Sequence, residues 1–144
     1  MILKSEEETA SAGAMLARLA RAGDVIALSG PLGVGKTALA RGFIEALGHA
    51  GEVPSPSFAI VQPYDDLDPP VWHVDLYRIE NPSEIEELGL DASAEAVLLV
   101  EWPERAGKYA WPGALGLSLE FAEGDDRILT AKVPLSWEGR WPPQ

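Results

Sequence analysis

Apolar positions along the chain follow two periods, and the switches between them mark out the elements. Met15, Leu16, Leu19 and Ala20 share one helical face. Ser5 and Glu8 stand ahead of them at the Ser-x-x-Glu spacing of a capping box. The spacing predicts a helix over residues 6–21, closed by Gly23. Residues 24–28, Asp-Val-Ile-Ala-Leu, form a short β-branched run of the length of a buried strand. From Lys36 to Leu47 the helical period returns. Leu39, Phe43 and Leu47 recur every four residues, Ala40 and Ile44 flank them, and Gly48 is the stop signal.

The second half reads mainly as strands. Residues 49–56 are a linker rich in Gly and Pro. Two strand patterns, 58–61 and 71–77, flank a polar turn at 65–70 and predict a hairpin. Asn81 at a cap and Pro82 at the first position begin a short helix that stops at Gly89. Residues 96–100 are apolar without a break, the pattern of a strand covered on both faces. Leu115, Leu117, Leu119 and Phe121 alternate, and residues 128–133 follow a polar turn, which predicts a second hairpin. The expected fold is α/β: a mostly parallel central sheet with antiparallel marginal strands and flanking helices. Residues 1–135 form one domain in this reading. The stretch 136–144, with Trp137 and Trp141, is a tail with no helix or strand pattern.

Composition narrows the chemistry. At 144 residues the chain is one domain by length, and without cysteine it has no disulfide, thiolate metal site or thiol nucleophile. The start turns acidic within six residues, and no apolar run approaches the ~20 residues of a membrane span, so the expected location is cytoplasmic. Net charge is −12, from 23 acidic and 11 basic residues. Such a surface repels phosphate backbones, so any involvement with RNA is expected to run through a protein partner.

One stretch organises the rest. Gly30-Pro31-Leu32-Gly33-Val34-Gly35-Lys36-Thr37 fits Gly-x-x-x-x-Gly-Lys-Ser/Thr, the phosphate-binding loop, between the predicted strand and helix. Glycines let the backbone curl its N–H groups inward around phosphate oxygens. The helix start aims unpaired N–H groups and its positive dipole end at the same anion. Gly30, Leu32, Gly33, Val34, Gly35 and Ala38 are therefore read as nucleotide-binding, with Lys36 on the β- and γ-phosphates and the Thr37 hydroxyl on Mg²⁺. The expected cofactors are ATP and Mg²⁺.

Hydrolysis also needs a carboxylate for the metal and a group to orient the attacking oxygen. Asp75 and Glu101 each end a strand pattern, where ligands of open α/β sheets bind. The uninterrupted run before Glu101 places it on a central strand beside the loop strand; Asp75 follows a run that lies nearer an edge. Either acid is a metal or catalytic candidate beside Lys36. His73 shares a face with Asp75 and is read as a packed or partner-facing histidine.

Taken together, the phosphate loop, Ser55-Pro56-Ser57-Phe58, His73-Val74-Asp75-Leu76-Tyr77-Arg78 and Val100-Glu101-Trp102-Pro103-Glu104 resemble the TsaE family. These are small bacterial ATPases of tRNA threonylcarbamoyladenosine biosynthesis. The resemblance implies that Thr37 and Glu101 coordinate Mg²⁺, that Asp75 serves the hydrolytic site, and that Ser55, Pro56, Ser57 and Phe58 form a switch-like segment. It places Trp102 beside the nucleotide and Glu6 within reach of it. It also implies the TsaB and TsaD proteins as partners, with tRNA met only through that complex. Pro31 stands where relatives often carry Asp, and Ser57 where they often carry Thr.

Two other functions fit a phosphate loop in a chain this small. A small-molecule kinase clamps its acceptor with several arginines on a lid, whereas the seven arginines here read as scattered. A nucleotide-dependent interaction module would bind without significant turnover.

Overall fold

The computed structural model describes residues 1–54, 60–90, 94–107 and 110–142. Seven strands share one mixed sheet: β1 (Ile2–Leu3), β2 (Val25–Ser29), β3 (Val61–Tyr64), β4 (Val71–Asp75), β5 (Val97–Glu101), β6 (Leu115–Phe121) and β7 (Arg127–Lys132). Their order across it is β1-β7-β6-β2-β5-β4-β3. β2 runs parallel to β5 and β6, and β5 runs parallel to β4, so the centre is parallel. The hairpins β3–β4 and β6–β7 supply antiparallel margins, as their short connections require.

Alternation along the strands sorts the core into two layers. Ile26, Leu28, Val71, Val97, Leu99, Leu115, Leu117 and Leu119 pack on one face against helices α1 (Glu6–Ala17) and α2 (Lys36–Ala46). Leu98, Val100 and Val74 face the other way, toward Ile85, Leu88, Trp102 and Trp111. β5 is buried at every position, which is why its sequence shows no alternation. The short helix after Asn81 is 3₁₀ over Pro82–Leu88, with a complete capping box and Gly89 in the left-handed conformation.

Several boundaries differ from the sequence pattern. α1 stops at Ala17 rather than residue 21, because Arg140 takes the Leu19 carbonyl at 2.9 Å and Asp24 takes the Arg21 N–H at 2.7 Å. Its capping box is half made: the Ser5 hydroxyl accepts from the Glu8 N–H, but the Glu8 carboxylate accepts from Lys4 instead of Ser5. Of the strand expected over 58–61, Phe58 and Ala59 lie outside the described residues and β3 begins at Val61. Ile60 ahead of it has φ 65°, a value that a β-branched residue adopts only under constraint. β4 ends at Asp75 rather than 77, since the Asp75 carboxylate accepts the Tyr77 N–H at 2.9 Å and turns the chain.

The C-terminal stretch packs onto the helical layer. A 3₁₀ turn, Leu135–Trp137, buries Trp137 in the main cluster. The Arg140 guanidinium lies 4.0 Å from the Trp137 ring centroid and pairs with Asp24, one residue before β2, at 2.7 Å.

α1 and α2 meet backbone to backbone through two glycines. A Cβ at Gly42 would lie 2.0 Å from the Ala10 carbonyl oxygen, and one at Gly13 2.0 Å from that of Leu39. Gly42→Ala is expected to cost about 3 kcal/mol, the upper end of overpacking penalties, because backbone rather than a flexible side chain is struck. The better helix propensity of alanine returns only about 1 kcal/mol of that. Urea denaturation checks it, and an unshifted midpoint would mean that the helices stand farther apart.

Candidate functional site

β2, β5 and β4 are parallel neighbours, so Ser29, Glu101 and Asp75 finish at one edge of the sheet. Loop 30–35 leaves β2 there and delivers the chain into α2. Gly30, Gly33 and Gly35 have φ of 144°, 76° and 120°. At Gly30 the need is also spatial, since a Cβ would lie 2.5 Å from the Leu119 carbonyl oxygen.

A cleft of about 750 Å³ opens at this edge. Leu32, Gly33, Val34, Gly35, Lys36, Thr37 and Ala38 form its floor, and Asp75, Glu101 and Trp102 stand at the strand ends. Lys4, Ser5, Glu6 and Thr9, at the start of α1, form one wall; Asp125 and Arg127 of the second hairpin also line it. Gly30 does not line the cleft; its carbonyl accepts from the Lys36 ammonium. The expected switch-like residues Ser55, Pro56, Ser57 and Phe58 lie outside the described residues.

Lys36 is folded over its own loop. Its Nζ donates to the Gly30 and Pro31 carbonyls and sits 3.6 Å from the centroid of the Trp102 ring. Burial lowers its pKa below the ordinary lysine value, and the carboxylates of Glu101, Glu104 and Asp75 pull it partly back. Trp102 is brought there by a left-handed backbone, φ 58°, that turns the chain directly after β5. So bulky a residue in that conformation is strained, and strain of this kind gathers at functional sites.

Thr37, on the first turn of α2, donates its hydroxyl to both oxygens of Glu101, at 3.1 and 3.2 Å. His73 Nε2 donates to Glu101 Oε2 at 2.6 Å, and both side chains are buried. Asp75 lies across the β4–β5 register from Glu101, so two carboxylates and a hydroxyl gather beside the loop. An all-oxygen set of one hydroxyl and one or two carboxylates suits Mg²⁺, which keeps most of its shell for phosphate and water. Among the described residues no group of three or more His, Cys, Asp or Glu forms a metal cage, so a cation here would draw its remaining ligands from outside the protein.

Burial raises the pKa of Asp75, with Glu101 adding to the rise, while the Tyr77 N–H, His73 and Lys36 oppose it. Between the ordinary aspartate value and the raised one, the folded chain binds more protons than the unfolded chain. Stability therefore falls as pH rises through that window, and above it the whole penalty is present. Asp75→Asn is expected to raise the melting temperature of the nucleotide-free protein at pH 7, the gain shrinking as pH falls toward the carboxylate range. A lower melting temperature at pH 7 would show that the Tyr77 N–H bond outweighs burial.

Some of this wall could not be read from the sequence. Three arginines that look scattered along the chain, Arg41, Arg78 and Arg127, reach the cleft. Arg41 pairs with Glu6 at 3.7 Å, and Arg127 donates to the Val34 carbonyl at 3.1 Å. The bond from His73 to Glu101 was also missed; the period of two put His73 and Asp75 on one face, but only the β4–β5 register brings Glu101 to them.

A family model described as threonylcarbamoyl adenosine biosynthesis protein TsaE matches residues 3–129. The tRNA threonylcarbamoyladenosine biosynthesis protein TsaE of Streptomyces coelicolor is 44% identical over 134 residues, covering 90% of this chain and 90% of that protein. The Bacillus subtilis protein of the same name is 39% identical over 126 residues, covering 86% of this chain and 78% of its own. The crystal structure of Bacillus subtilis YdiB superposes with a TM-score of 0.80 at 33% identity, over 96% of this chain and 88% of that one.

Proposed function

This chain belongs to the TsaE family of threonylcarbamoyl adenosine biosynthesis proteins, and from that premise we propose that it binds ATP with Mg²⁺ in the cleft and hydrolyses it slowly. The hydrolysis serves the protein assembly that makes threonylcarbamoyladenosine in tRNA, with TsaB and TsaD as partners. The observation that carries this reading is the pairing of Thr37 with Glu101, residues 64 apart in sequence, at the head of α2. A glycine turn without a ligand needs no carboxylate there.

In this reading the loop amides and Lys36 grip the phosphates. Thr37 and Glu101 hold the cation, which when bound neutralises charge on the phosphate oxygens. Asp75, buried and drawn toward its protonated form, orients the attacking water and takes its proton. The acidic surface leaves contact with tRNA to the partners. No helix among the described residues is long and apolar enough to cross a membrane.

Phosphate release from ATP, measured with and without Mg²⁺ and with and without the two partners, tests the proposal. Slow release that needs Mg²⁺ and rises with the partners is expected. ATP binding with no release in any mixture would leave a nucleotide-dependent interaction module. The three cleft arginines are the one observation that favours a kinase, and phosphorylation of a small-molecule acceptor by the isolated protein would decide for it.

A further inference from the structure

The Thr37 hydroxyl is almost equidistant from the two oxygens of Glu101, at 3.1 and 3.2 Å. It therefore does little to fix the plane of the carboxylate, and the terminal torsion of a glutamate is soft on its own. His73 fixes that plane by holding one oxygen. It lies on β4 across from Leu99 of β5, two residue pairs before the Asp75–Glu101 pair, and its ring reaches diagonally to Oε2 at 2.6 Å. The ring is fully buried and Glu101 nearly so, which makes the bond strong and its loss costly.

We propose that His73 is a positioning residue: its Nε2–H fixes Oε2 of Glu101 and thereby presents Oε1 to the cation that accompanies the nucleotide. The inference rests on the nucleotide reading of the cleft. Glu101 already accepts from the Thr37 hydroxyl at both oxygens, so it is the acceptor here too and Nε2–H is the donor between the two residues. Nδ1 is buried without a partner among the described residues, where a bare ring nitrogen costs less than an unpaired N–H. The network thus makes Nε2–H the donor of this bond. Side chains that orient a metal ligand in this way typically change metal affinity 10–100-fold when removed.

The test is the Mg²⁺ dependence of ATP binding by the whole chain, followed calorimetrically in the wild type, His73→Leu and His73→Gln. His73→Leu is expected to need about 10–100-fold more Mg²⁺ for half-maximal effect, with the loss in the Mg²⁺ requirement and not in the Mg²⁺-free affinity. His73→Gln, whose amide can still donate, should recover part of the loss. Equal Mg²⁺ requirements in wild type and His73→Leu would overturn the proposal, as would a parallel fall in Mg²⁺-free affinity that His73→Gln fails to rescue. A wild type that binds ATP without regard to Mg²⁺ would remove the cation role of Glu101 and the proposal with it, whereas a wild type that does not bind ATP would remove the nucleotide reading itself. Nitrogen-15 shifts of the wild-type imidazole ask the same question with no variant to fold: protonated Nε2 and bare Nδ1 support the assignment, and the opposite tautomer overturns it.

Discussion

Replacing Lys36 with alanine should abolish productive ATP binding while leaving the protein folded. The ammonium is held over the loop by the Gly30 and Pro31 carbonyls and by the face of Trp102, an arrangement that keeps a cation at the mouth of the phosphate cradle. Charge-assisted contacts to phosphate contribute about 1.5–3 kcal/mol each. Two such contacts amount to roughly 3–6 kcal/mol, a loss of about a hundredfold to ten-thousandfold in affinity. Neither Arg41 nor Arg127 is placed to compensate, since one pairs with Glu6 and the other bonds to the Val34 carbonyl. Alanine suits a helix start, so circular dichroism should show an intact fold. Calorimetric titration with ATP checks the result; unchanged affinity would count heavily against the assignment of the loop.

Glu101→Gln should separate binding from turnover. The loop amides, Lys36 and Thr37 make most of the ground-state contacts, so ATP is expected to bind within roughly tenfold of wild type, about 1.4 kcal/mol. The transition state depends more steeply on where the cation and the water sit, so partner-stimulated phosphate release should nearly stop. Glutamine keeps the shape that fills the buried space between Thr37 and His73, removes the charge and leaves one acceptor oxygen where the carboxylate has two. Asp75→Asn is the companion variant. Should it stop turnover while Glu101→Gln does not, the principal metal carboxylate is Asp75 and the proposed roles are reversed.

Local chemistry in this chain is written locally, and everything that depends on register is not. The phosphate loop, both hairpins, the cap at Asn81 and the stop at Gly89 each follow from residues within a few positions of one another. The unbroken run before Glu101 could come only from a strand covered on both sides, so its central place was readable too. The end of α1 was not, since the Leu19 carbonyl just past it is taken by Arg140, more than a hundred residues away. Gly13 and Gly42 look like weak spots in two helices until the helices are seen to touch. The two-residue strand β1 has no pattern at all, being held by its pairing with β7.

The family match ends at residue 129, but the hydrophobic interior does not. Trp137 is 1% exposed, and Arg140 ties it to Asp24 at the foot of the strand that leads into the phosphate loop. Chimeras are where this matters. Residues 1–129 of this chain, spliced to the C-terminal segment of a relative, inherit a socket cut for an indole and an aspartate awaiting a guanidinium. The graft will hold only if the donor brings both, so the last fifteen residues must be exchanged together with Asp24, which Arg140 pairs.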